Sequence, residues 1–258
     1  MIGSRREWFT FQLRVNPVNQ IFAMADIASI VSSVQATVLL EKPLFFEIAV
    51  FCYCLYLTHV RRAALSDNAY RGIAETVLAS YGGSILVPML LGINPFPLAN
   101  DLAVPCAAIV YLLVKKILSP AISDFIENMA GVKLMLACCF EAVRCKVLLV
   151  WLSHANKAIA PSYFSHAVVG PIVCGTLAGC AGAFIVGGGL QALSAGPSWA
   201  MVSAFLASCF FHAFVNCLGW MPSRDASAVC AVFLIVAHVK RIVSMPPLIT
   251  TGSKSKTK

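Results

Sequence analysis

Apolar residues run through this chain in long blocks rather than in alternation. About seven windows of roughly 17–25 residues hold few charges, the length a helix needs to cross a bilayer. They lie near 44–60, 72–93, 102–119, 132–153, 166–189, 200–220 and 226–243. Short polar stretches separate them, such as NPFPLAND after the second window and MPSRDAS after the sixth. Ahead of them, residues 25–43 place apolar side chains at helical spacing with Ser and Gln opposite. That is the pattern of an amphipathic helix lying on a membrane, with an eighth span as the other reading. The pattern predicts an all-α membrane protein of about seven transmembrane helices. It divides the chain into an N-terminal arm (1–43), a seven-helix domain (44–246) and a basic tail (247–258).

Composition narrows the class. Of 258 residues, 59% are hydrophobic and 12% charged. A soluble domain is about a quarter charged, and this chain lacks the polar surface to cover so many apolar runs. The formal charge of +8 reports topology or contact with anionic lipid. No basic patch is interleaved with exposed aromatics, so nucleic acid is not an expected partner. The 11 cysteines include no CxxC pair and the five histidines are scattered. That spacing predicts neither a metal site nor a disulfide framework, and leaves the cysteines as small buried hydrophobes. The first residues carry Arg5, Arg6 and Arg14 but no apolar core ending in small residues, so no cleavable signal is expected.

The basic residues suggest an orientation. Arg61, Arg62 and Arg71 follow the first window, Lys115, Lys116 and Lys133 the third, and Lys240, Arg241 and the tail lysines the seventh. An odd number of spans puts these on one side, which should be cytosolic, with the C-terminus there too. The basic N-terminal arm, then on the far side, counts against that assignment. The ending KSKTK is similar to a dilysine retrieval signal of endoplasmic-reticulum proteins. A solvated basic tail is the other reading.

FFEIAVFC (45–52) and CFEAVRC (139–145) share Phe-Glu, Ala-Val and Cys, and each opens a span. The span after each carries glycines: Gly82 and Gly83 in one case, Gly175, Gly179 and Gly182 in the other. Two three-helix repeats in opposite orientation follow, plus a final helix, the plan of many transport proteins. Glycines in mid-span weaken a helix, and a freed backbone in lipid must line a water-filled cavity or be buried in protein. Helix breaks around a central pathway and close helix packing are the two readings.

The fourth window holds Glu141, Arg144 and Lys146. A cation there is expensive and generally faces a bundle interior or polar cavity. Glu141 and Arg144 share a face at i, i+3. Lys146 lies about 200° round from Arg144 and faces elsewhere. The cluster can bind an anionic lipid headgroup, line an ion pathway, sense voltage or simply hold helices together as an ion pair.

These residues carry a resemblance. FEAVRCK followed by SHANK resembles the fourth helix of the trimeric intracellular cation (TRIC) channels, whose motif reads KEVxRxxK before a histidine-alanine segment. FFEIA (45–49) is similar to the opening of the family's first helix. ASYGGSIL (79–86) with LLG (90–92) resembles its second helix, and GTLAGCAGAF (175–184) its fifth. The resemblance spans 25–245 in order. It implies a homotrimer of seven-helix protomers, each with its own pore, in the endoplasmic or sarcoplasmic reticulum or nuclear envelope. It implies potassium and other monovalent cations as the permeant ions, giving counter-ion flow during calcium release. The second and fifth helices would bend at the glycines around the pore. A phosphatidylinositol bisphosphate headgroup would be held from the cytosolic side by the motif's Lys and Arg. Arg144 matches the motif arginine and Glu141 its glutamate. The leading lysine position is Phe140 and the trailing one Val147, with Lys146 beside it. A solute transporter and a non-conducting paralogue on the same plan are the alternatives. An intramembrane enzyme using His154 with Asn156 or Glu141 lacks a nucleophile with a paired base, so no catalysis is expected.

Overall fold

The computed structural model describes residues 32–33, 35–37, 39–117, 119–161, 163–186 and 196–244. The arm before residue 32, segment 187–195 and the basic tail lie outside the described residues, and with them most of the expected surface helix at 25–43. All described regular structure is helical.

Every predicted window is occupied by helix. α1 spans Pro43–Arg61 and begins with Pro43, whose missing N–H is no loss in a first turn. α2 spans Ala69–Leu91. The Asn68 side chain caps it by accepting from the Arg71 N–H at 3.2 Å, and Gly92 ends it in the left-handed conformation at φ 69°. The short α3 (Phe96–Ala99) leads to α4, which is α-helical over Ala103–Tyr111 and π-helical over Leu112–Ile117. α5 spans Ser119–Asn128, α6 Ala130–Ala158 and α7 Val169–Val186. α8 is α-helical over Trp199–Phe211 and π-helical over His212–Cys217, and α9 spans Ser223–Ser244.

Among the described residues, four helices are long and apolar enough to cross a membrane on their own account: Pro43–Arg61, Ala69–Leu91, Trp199–Cys217 and Ser223–Ser244. α6 has the length, at 29 residues, but carries Glu141, Arg144 and Lys146 through its middle. It tolerates them because it is the central helix, packed on α1, α7 and α9 and in part on α8 and α2. Leu148, Leu152 and Ala155 are fully buried on it.

The two triplets, α1–α2–α4 and α6–α7–α8, are joined through their first and second helices. α1 packs on α6, and α2 on α7. Ala49 clusters with Ala142 and Val143, whereas Tyr56, one turn and more further on, clusters with Leu136 and Ala137. α1 and α6 are therefore antiparallel. Gly83 meets Ala178, while Gly182 meets Ala79, so α2 and α7 are antiparallel as well. Equivalent helices meeting in opposite senses is what an inverted repeat produces. Both third helices also end in a six-residue π segment.

Two features depart from the sequence expectation. α5 is an additional helix after the third window. Pro120, its second residue, leaves the hydrogen-bond ladder intact because it stands in the first turn. The glycine-bearing helices are also not broken: α2 is continuous through Gly82 and Gly83, and α7 through Gly175, Gly179 and Gly182. Each glycine sits where another helix occupies the space of a Cβ. A Cβ on Gly83 would run into the Ala178 carbonyl, and one on Gly182 into the Ala79 carbonyl. One on Gly82 would stand 2.9 Å from the Gly182 Cα, and one on Gly175 2.7 Å from the Ser208 Oγ. Without a hydrophobic drive between helices in lipid, such close backbone approach supplies the packing.

Candidate functional site

Arg144 is the centre of a buried network. Its side chain is 5% exposed and that of Glu141 2%. Arg144 Nη1 donates to Glu141 Oε2 at 2.7 Å. Its Nε donates to the Gly179 carbonyl at 2.7 Å, and its Nη2 to the Ala200 carbonyl and, at 2.8 Å, to the Ser203 hydroxyl. On the other side, His238 Nδ1 lies 2.8 Å from Glu141 Oε1. His238 Nε2 lies 2.9 Å from the Tyr56 hydroxyl. With the ring neutral, Nδ1–H donates to the carboxylate and Nε2 accepts from Tyr56. One ion pair thereby ties α1, α6, α7, α8 and α9 together.

Gly179 makes the Arg144 contact possible. A Cβ there would stand 2.9 Å from the Ala204 Cβ and 3.0 Å from a Leu148 methyl. Without it, α7 comes close enough to present its carbonyl. Of the four readings of this cluster, the surroundings of Arg144 and Glu141 match the ion pair that holds helices together. Desolvating two charges is unfavourable by several kcal/mol each unless the geometry satisfies them, and here each Arg144 nitrogen has a partner.

Lys146 faces away, as the helical geometry predicts. Its Nζ donates to the Leu40 carbonyl at 2.6 Å and stands 4.5 Å from the Phe46 ring centroid. It borders a cavity of about 130 Å³ between α1, α2 and α6, with Tyr53, Ser80, Ser84 and Trp151 among its walls. On α2, Thr76, Ser80 and Ser84 recur every four residues and are 1%, 8% and 5% exposed. Tyr53 donates to the Ser80 carbonyl at 2.8 Å, and Trp151 to the Ser84 hydroxyl at 3.4 Å. Among the described residues the Ser80 hydroxyl is buried with no nitrogen or oxygen partner, and the Cys54 thiol lies beside it.

Phe140, at the position of the motif's leading lysine, closes the space beside the network. Its ring stacks on Tyr53 and also lies 5.3 Å from the Tyr56 ring and 5.7 Å from His238. Sequence reasoning missed His238, Tyr56 and Ser203, which sit on helices remote in sequence from the motif. The spare polar residue in each otherwise apolar span was the available signal.

The expected gathering of basic residues at one end is present. Lys115 Nζ donates to the Arg62 carbonyl at 2.9 Å and pairs with Asp67 at 3.2 Å, while Arg62 pairs with Glu127 at 3.0 Å. Ile242, near the end of α9, packs with Tyr56 and Leu136 toward the same end. All 11 cysteines are free, and Cys54, Cys145, Cys174, Cys180 and Cys230 are buried.

No protein-family model and no curated protein matches the chain. Solved structures do. A structure of TRIC counter-ion channels, concerning their activity in calcium release, gives a TM-score of 0.65 at 16% identity, covering 81% of this chain and 97% of that one. A trimeric intracellular cation channel from C. elegans with bound Ca2+ gives 0.62 at 18% identity, covering 83% and 97%. The C. elegans channel in the absence of Ca2+ gives 0.60 at 19% identity, covering 80% and 93%. The chain has the fold of the TRIC channels.

Proposed function

We propose that this chain is a monovalent cation channel of an intracellular membrane, a divergent relative of the TRIC channels whose fold it shares. Potassium is the main permeant ion, flowing as counter-ion during calcium release. The chain acts as a homotrimer of seven-span protomers in the endoplasmic or sarcoplasmic reticulum or nuclear envelope, with a pore in each protomer. The C-terminus is cytosolic, on the side of Arg62, Lys115 and Lys116.

The observation that supports this reading is the polar stripe Thr76–Ser80–Ser84 beside the α2–α7 crossing. A buried hydroxyl with no nitrogen or oxygen partner among the described residues, Ser80, next to a cavity inside an apolar bundle is a place for water or a hydrated ion. A phosphoinositide reaching Arg144 would have to displace Glu141, Gly179, Ala200 and Ser203. Recording from the purified protein in planar bilayers tests the proposal. Potassium current is expected, and its absence at every voltage overturns it.

One observation favours a second reading. The aromatic stack of Phe140 on Tyr53 fills the space where the motif has a lysine, which suits a non-conducting paralogue. Intact trimers that carry no current would select it.

A further inference from the structure

Beyond that reading, a cavity of about 560 Å³ runs along α6 from Ala142 and Cys145 to Lys157. It runs between the second half of α6 and the first half of α9. It exists because α9 faces α6 there with small side chains at four-residue spacing, Ser223, Ser227 and Ala231. Its walls are otherwise apolar, with Leu149, Val150 and Phe211 among them. Its charged lining is basic: Lys146, Lys157 and Arg224 against the single carboxylate of Glu41, with His154 beside them. Arg224 is committed to Glu41 through two contacts of 2.8 and 3.1 Å. Lys146 uses one of its three donors on Leu40. Among the described residues Lys157 has no ion-pair partner, and His154 has only a ring contact with Trp151, at 5.4 Å. Both are exposed, one turn apart on α6.

An apolar groove with an excess of unspent cations matches an amphiphile with an anionic head. We propose that this cavity binds an anionic phospholipid, with the phosphate at Lys157 and His154 and an acyl chain laid along Leu149, Val150 and Phe211 toward Lys146. None of the contacts to the head involves Arg144 or Glu141. Water alone would leave the apolar walls wetted, and a free inorganic anion would leave the groove unfilled.

Native mass spectrometry of the purified full chain tests this, with phosphatidic acid, phosphatidylcholine or inorganic phosphate added in separate arms. Phosphatidic acid should stay bound to the chain and raise its melting temperature, and phosphatidylcholine should do neither. Lys157→Ala, a change at an exposed position, should weaken retention roughly tenfold, as loss of one charge-assisted contact does. Adding His154→Gln should weaken it further, while Lys240→Ala, on the other end of α9, should leave it unchanged. Equal retention of phosphatidylcholine, or retention indifferent to Lys157→Ala, overturns the proposal. Stabilisation by inorganic phosphate with no lipid retained overturns it too.

Discussion

The Phe140 ring lies flat on the Tyr53 ring, with centroids 5.2 Å apart and planes 7° from parallel. This contact joins the first helix of one triplet to the first helix of the other, beside the buried ion pair. Stacked aromatic pairs contribute about 0.5–1.5 kcal/mol beyond the area they bury, so the contact also resists parting of α1 from α6. Phe140→Ala removes the ring. Potassium current in planar bilayers should rise above that of the parent, and thermal stability in detergent should fall by about 3 kcal/mol. Unchanged current would place the ion path away from this ring.

Arg144→Ala leaves Glu141 buried with a charge that only His238 can meet. Breaking a buried pair from one side is unfavourable by about 3–5 kcal/mol, enough to unfold or disassemble many membrane proteins on solubilisation. The double change Glu141→Gln with Arg144→Met removes both charges and should recover most of that loss. Melting temperatures of the three proteins check this, and a single variant as stable as the parent would show that the pair holds nothing.

His238→Ala deprives both Glu141 and Tyr56 of their partner. A buried group left unsatisfied is unfavourable by about 1–3 kcal/mol. The loss should be smaller than for Arg144→Ala, and combining the two changes should give less than the sum because they share Glu141. A double-mutant cycle on thermal unfolding reads this directly.

Gly83→Ala drives a methyl into the Ala178 carbonyl. Backbone cannot yield as a side-chain tip can, so α2 and α7 must separate, and folded protein should be lost from size-exclusion profiles. Gly131→Ala is the matched control. Nothing lies within 4 Å of a Cβ at Gly131, and alanine there should be neutral or stabilise α6 by up to about 1 kcal/mol.

The helical windows and their pairing into two inverted triplets were legible because long apolar runs and the repeated Phe-Glu motif leave marks in one dimension. The role of the glycines was not. A glycine suits a bend and a close approach equally, and only the Ala178 and Ala79 carbonyls, distant in sequence, decide between them. The repeated glutamates show the same limit. Glu141 is 1% exposed because α9 brings His238 to it, whereas Glu47 is exposed at the opening of a helix with no such partner. The motif is shared, but the environment comes from the unrepeated last helix. Arg144 was identifiable as a residue of consequence from its position alone. Its partners, two of them backbone carbonyls, leave no trace in side-chain identity.

The π winding of Leu112–Ile117 has a mechanical consequence. Lys115 and Lys116 are consecutive, yet both reach the link between α1 and α2: Lys115 Nζ to the Arg62 carbonyl at 2.9 Å, Lys116 Nζ to the Asp67 carbonyl at 2.7 Å. In an α-helix consecutive side chains diverge by about 100°. The wider turn narrows that spread and makes two neighbours into a clamp on one short strap of chain. Rewinding this segment by a single peptide unit would open the clamp at both ends of the strap together, so the winding of the third helix and the tethering of the first two are a single degree of freedom.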